Sequence, residues 1–157
     1  MAASVLQLYR KCDSLPFGKW LFSRLVCWKA PYFSSISPHI LVLEPGRGEA
    51  RLAHRRGVTN HLGTVHAIAM CNLAEFIGGL TTDVSLPASM RWIPRGMAVE
   101  YLKKARGTLH AVATFDQPPH AADEGYALPA RVQITDPRGE TVFRAIIDMW
   151  VSPKRSG

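Results

Sequence analysis

The group best suited to chemistry in this chain is Glu75, a carboxylate set within a run of apolar residues. Ile68, Met70, Cys71, Leu73, Phe76, Ile77 and Leu80 around it leave no broad polar face, which predicts a helix buried on all sides. Taking an ionised carboxylate out of water is costly, so a Glu placed there needs partners or a task. The task within its reach is that of a general base or nucleophile. The alternative is a buried carboxylate satisfied by a backbone amide or an arginine. Just upstream runs a polar loop, Asn60-His61-Leu62-Gly63-Thr64-Val65-His66-Ala67. Gly63 permits a tight turn there, and Thr64 is a fitting N-cap residue. The first amides of the helix that follows lack intrahelical partners and sit at the positive end of its dipole, so they can receive developing negative charge.

Other polar and reactive residues weigh less. His61 and His66 are five positions apart and do not share a helix face; with no third ligand in view, no metal site is expected. Cys71 falls in the apolar run and reads as core. Asn72, one turn before Glu75, reads as a packing or dimer contact. Lys103, Lys104 and Arg106 end a strand, where they can be solvated or can meet a phosphate. Gly78 and Gly79 weaken the helix by about 1 kcal/mol each relative to Ala. They leave room either for a ligand or for a closely packed sheet.

The elements that must carry these residues follow from periodicity and punctuation. Short strands are expected over 38–45 and 49–55, with a turn at Gly46-Arg47-Gly48. The central helix spans roughly 66–82. Strands over 97–105 and 107–116 are joined tightly at Arg106-Gly107. Strands over 128–135 and 140–152 flank Asp136-Pro137-Arg138-Gly139, a hairpin turn by its residue types. Residues 117–125, with Pro118-Pro119, read as a loop. One long helix followed by consecutive antiparallel strands implies an α+β layer with the sheet curled around the helix.

The 157 residues suit one domain with a core of its own, and 47% apolar content excludes a disordered chain. Cys12, Cys27 and Cys71 form no paired motif, which favours a reducing, cytoplasmic setting over a disulfide framework. The net charge of +7 is either a solvated basic surface or an attraction for an anionic ligand. Nucleic acid is not the expected partner, because the basic residues are scattered and no helix-turn-helix or basic-aromatic module is visible. Residues 1–33 are acid-poor, as a mitochondrial transit peptide would be, with Arg10, Lys11, Lys19, Arg24 and Lys29. Yet Trp20, Leu21, Phe22, Leu25, Val26 and Trp28 recur at helical spacing. They predict two short amphipathic helices that pack on the domain or lie near a membrane face. No apolar run reaches transmembrane length.

The pattern N-x-x-G-T-x-H-x(5)-N-L-A-E over residues 60–75 resembles the active-site segment of hotdog-fold acyl-CoA thioesterases, in particular the phenylacetate-pathway type and a bacterial branch close to it. Residues 99–109 resemble that family's strand-turn-strand after the helix, and residues 132–143 its last hairpin. The likeness spans roughly residues 38 to 152. It implies a hotdog fold over 38–157, a curved antiparallel sheet wrapped around one long helix, preceded by a helical extension over 1–37. It further implies hydrolysis of an acyl-CoA thioester, with no cofactor, by a homodimer or a dimer of dimers that shares its active sites. By the same likeness Glu75 is the base or nucleophile, the backbone N–H of Ala67 the oxyanion donor, and Asn60 the group that orients the carboxylate or the attacking water. His66 holds the loop or touches ligand. His61, Gly63, Thr64, Gly79, Lys103, Lys104 and Arg106 are the expected substrate contacts. Two departures stand out. The relatives often carry Asp at the position of Glu75, and Gly-Gly at Ala67-Ile68. Glu reaches one bond further, and Ile68 adds bulk near the entrance. A non-catalytic acyl-CoA-binding module is the alternative on the same fold. A hydratase-like enzyme is less favoured, since no Asp/His pair precedes the helix.

Overall fold

The computed structural model describes residues 4–154. Six strands form one antiparallel sheet: β1 (His39–Glu44), β2 (Arg47–Leu52), β3 (Met90–Tyr101), β4 (Leu109–Phe115), β5 (Tyr126–Thr135) and β6 (Thr141–Pro153). They lie in the order β1-β2-β4-β5-β6-β3. Against the sheet packs one long helix, named α3 here (Ala67–Ser85), preceded in the chain by α1 (Val5–Asp13) and α2 (Gly18–Lys29). This is the α+β layer expected from the order of elements, in the hotdog arrangement that the family resemblance implies.

The core forms where the inner face of α3 meets the concave side of the sheet. Leu73, Phe76 and Ile77 pack with Leu52, Leu109, Ile134, Ile147 and Met149, all essentially without solvent exposure. Both helical glycines are explained by this packing. A Cβ on Gly78 would come within 2.8 Å of Ile147 Cδ1, and one on Gly79 within 3.0 Å of Trp92 Cη2. In this chain the space over Gly79 is therefore filled by the Trp92 indole and not open to a ligand.

Three expectations are corrected. The central helix is not buried on all sides: Ile68 is 54% exposed, and Glu75 and Asp83 are exposed on the same stripe. The strand after α3 begins at Met90, seven residues earlier than its sequence suggests. Arg91, Pro94, Arg95 and Gly96 break any alternation, because this is an edge strand paired on one side only, with β6. The strands on either side of Arg106-Gly107 are consecutive but not neighbours: β3 closes one edge, while β4 lies between β2 and β5. Residues 102–108 cross between them. The hairpin at residues 136–139 is present, its turn held by Asp136 Oδ1, which accepts from the amides of Arg138 (2.9 Å) and Glu140 (3.0 Å).

The two expected N-terminal helices form and pack at the β1 edge. Tyr9 and Phe22 enter the core, their rings 5.2 Å apart edge to face. A short 3₁₀ turn, Pro31–Ser35, follows α2 and sets Phe33 against Phe76 of α3, again at 5.2 Å. No helix among the described residues is long and apolar enough to cross a membrane.

Candidate active site

The loop before α3 is held by its own side chains. Asn60 Oδ1 accepts from the amides of Leu62 (3.0 Å) and Thr64 (3.2 Å), and Asn60 Nδ2 donates to Thr64 Oγ1 at 2.9 Å. Gly63 turns the chain at φ +67°, a backbone region that side-chain-bearing residues rarely adopt. The Asn60 amide also donates to the Thr64 carbonyl (2.9 Å), and the His66 amide to the Val58 carbonyl (2.8 Å). Within one chain, then, Asn60 builds the loop. Thr64 is not the helix cap; it is buried as Asn60's partner.

The cap is His66. Its Nδ1 accepts from the amide of Ile68 at 3.1 Å, and its carbonyl accepts from Ala69 and Met70. Those bonds occupy the first amides of α3 except one: the N–H of Ala67 has no acceptor among the described residues. A free, half-buried amide at the positive end of a 19-residue helix is a donor in search of an anionic or carbonyl oxygen.

Beside this junction lies a cavity of about 200 Å³. It is lined by Tyr32 and Ser35 on one side and by His66, Ile68, Ala69 and Asn72 on the other. Asn72 is buried and donates to Ser35 Oγ at 3.2 Å, while its Oδ1 has no partner. A buried acceptor without a donor is uncommon in a folded protein and marks a place where a ligand or water can donate. The bond to Ser35 ties α3 to the 3₁₀ turn before β1, so within one chain Asn72 is a packing contact with one acceptor left over. Cys71 is not core either. It lies half-exposed on the same stripe, with Sγ 3.2 Å from the Tyr101 hydroxyl of β3. That hydrogen bond, and after it burial, raises the Tyr101 hydroxyl above its ordinary range.

Glu75 stands two turns beyond Ala67. It is exposed in the single chain, not buried among apolar side chains, and its stripe carries Ile68 and Cys71 toward the open edge of β3. Of the other expected contacts, His61 sits exposed in the turn. Residues 102–108 pass close to the junction, because the Val65 amide donates to the Ala105 carbonyl at 2.9 Å. This places Lys103, Lys104 and Arg106 beside the loop. Lys103 is already paired with Glu140 at 2.9 Å, whereas Lys104 and Arg106 are exposed. Gly79 lies a turn beyond Glu75, under Trp92. The structure thus gathers Asn60, Gly63, Thr64, His66 and Ala67 at one junction with the basic connection beside it. Glu75 stands apart, about 12 Å along the helix at 1.5 Å per residue.

Residues 18–151 match the family described as "Domain of unknown function (DUF4442)". A crystal structure named only as genomics APC5556 is 43% identical over 96% of this chain and 99% of its own, with a TM-score of 0.81. Protein PA5026 from Pseudomonas aeruginosa, a protein of unknown function named a probable thioesterase, is 23% identical with a TM-score of 0.71, over 89% of this chain and 97% of its own. Thioesterase HI1161 from Haemophilus influenzae is 14% identical with a TM-score of 0.69, over 98% of this chain and 93% of its own. No curated protein matches. The chain accordingly belongs to the DUF4442 family, and its fold is the hotdog fold.

Proposed function

We propose that this protein is an acyl-CoA thioesterase whose site is completed by a second copy of the chain. The observation that carries the reading is the unpartnered N–H of Ala67 at the start of α3, on the helix that also presents Glu75. Thioester hydrolysis needs a base or nucleophile beside the carbonyl carbon, and a donor aimed at the oxygen that becomes negative. Ala67 is suited to the second task and Glu75 to the first.

One chain cannot easily bring both to the same carbonyl. Each group must lie within about 3 Å of the thioester, and a Glu side chain spans too little of a gap of about 12 Å. Two α3 helices side by side and antiparallel would bring Ala67 of one chain near Glu75 of the other, giving two equal sites in an isologous dimer. The free edge of β3 and the exposed stripe of α3 support this pairing. It would cover Glu75 and Ile68, so that the burial expected from the sequence would arise between chains. On this reading Asn60 fixes the loop that aims the Ala67 amide, and Lys104 and Arg106 lie where coenzyme A phosphates would be met. A dimer of dimers is compatible with the same sites.

The test is hydrolysis of a panel of acyl-CoA thioesters by the purified protein, followed by complementation. A Glu75→Gln chain and a chain disabled in the 60–67 loop should each be nearly inactive. Mixed dimers formed by subunit exchange should recover one working site. No turnover of any thioester by the intact protein would leave a binding module. No recovery despite proven exchange would overturn the shared site.

A further inference from the structure

Helix α2 has two apolar faces, and only one is used by the fold. Phe22, Ser23 and Cys27 are buried against the domain. On the opposite face Leu21, Leu25 and Trp28 recur at i, i+4 and i+7, extended by Phe17 and Trp20, all exposed; Phe17 and Trp28 are more than four-fifths so. A contiguous exposed patch with two indoles on one short helix is not ordinary surface, and calls for a partner.

Next to this stripe opens a cleft of about 840 Å³. Its lining combines apolar Phe17 and Trp20 with Lys19, Arg24, His39 and Arg51. Asp13, 3.6 Å from Lys19 Nζ, is the one acid that lines it. Arg24 keeps its Nε buried without a hydrogen-bond acceptor. The cationic character is felt locally: burial first, then Arg51, Arg24 and Lys19, push the His39 imidazole below its ordinary range. Burying guanidinium donors without an acceptor is unfavourable unless an anion can be supplied.

We propose that the exposed face of α2 and the cationic cleft beside it form a docking surface for an anionic lipid bilayer. Helices that lie in the membrane interface have this composition: Trp, Phe and Leu entering the acyl boundary, with Lys and Arg meeting the headgroup phosphates. A soluble anion would need the cleft but not the apolar stripe running away from it. A second copy of this chain fits poorly. A twofold interface here would set one cationic cleft against its equal, and the sheet's free edge lies at the far end of the molecule, on β3. Tyr32, exposed just past the end of α2, also lines the cavity beside His66 and Asn72, so docking by this face would hold that cavity close to the bilayer.

The test is co-sedimentation of the full chain with phosphatidylcholine vesicles, with and without phosphatidylglycerol. Binding should be at least about tenfold stronger to the anionic vesicles and should weaken as salt is raised. A Leu25→Gln/Trp28→Gln double variant, altered only at exposed positions, should lose at least about tenfold, and Arg51→Gln about fivefold. Trp fluorescence should be quenched by brominated lipid in the intact chain. Failure to bind anionic vesicles, or equal binding by the folded double variant, overturns the proposal. Release from vesicles by adenosine 3′,5′-bisphosphate would instead assign the cleft to a soluble nucleotide. A changed oligomeric state in the double variant would make the stripe a protein interface. Either result overturns the proposal as well. Vesicle binding is scored without catalysis, so a protein that docks but hydrolyses nothing would fail only as a thioesterase.

Discussion

The two edges of the sheet are finished in opposite ways. At the β1 edge the backbone is met by side chains of α2. Lys19 Nζ donates to the Leu41 carbonyl at 2.7 Å, the Ile40 amide donates to Ser23 Oγ at 2.9 Å, and Arg24 Nη2 reaches the Pro38 carbonyl at 3.4 Å. At the other edge β3 is long, pairs only with β6, and leaves Ile93, Met97 and Tyr101 exposed. Proteins that remain single chains commonly blunt or cover such edges, because an open row of amides and carbonyls recruits another strand. A chain that seals one edge with a helix and leaves the other open offers that open edge to another strand, which is where the proposed dimer would pair. The open edge lies on the side toward which the Glu75 stripe of α3 faces.

The sharpest way to break this contrast is at Glu75. Exchange for Gln keeps the shape and removes the proton acceptor, so kcat should fall by at least about a hundredfold, the scale of a lost acid–base group. The fold should survive, because Glu75 is exposed in the single chain and makes no ion pair among the described residues. Full turnover by a folded Glu75→Gln protein would remove the open side's claim to the chemistry.

Next in size is Met97→Lys, which places a charge on the exposed part of β3. It should shift the protein toward monomer in light scattering and lower activity at least about tenfold, since a charge facing a paired edge opposes association. An intact, fully active dimer would mean that β3 is not the contact. Asn60→Ala should cost less than Glu75→Gln, on the order of tenfold in kcat. It loosens the loop that aims the Ala67 amide, and removes no reacting group. An unchanged rate would deny the loop its positioning role.

What the sequence made legible follows the same division. The long apolar run of α3, the hairpin at 136–139 and the helical spacing of Trp20 to Trp28 were readable, because each is dictated by local pattern. The setting of Glu75 was not. The apolar side chains of Ile68 and Cys71 give this stripe the composition of a core, and so suggest burial that a single chain does not provide. The start of β3 was hidden because an edge strand with few buried side chains shows no alternation. The cap was misplaced for a different reason. Thr64 is the residue type that caps helices, but Asn60 captures its hydroxyl, and His66, rarer in that role, takes the position.

The smallest effect is expected at the sealed edge. It is also the most selective, because it should touch stability alone. Ser23 is fully buried, and its hydroxyl both donates to the Lys19 carbonyl at 2.7 Å and accepts from the Ile40 amide at 2.9 Å. Ser23→Ala leaves that amide without an acceptor beside Ile40, itself fully buried. An orphaned buried donor costs about 1–3 kcal/mol. For a chain of this length that corresponds to a fall in Tm of roughly 2–10 °C. Because the missing bond joins α2 to β1, at the opposite end from β3, neither the oligomeric state nor kcat should move. Thermal unfolding followed beside light scattering and thioester turnover decides the point. A drop in Tm alone would show that Ser23 closes this edge. A change in assembly or rate at unchanged Tm would show that the two edges are coupled, and the division of labour between them would have to be abandoned.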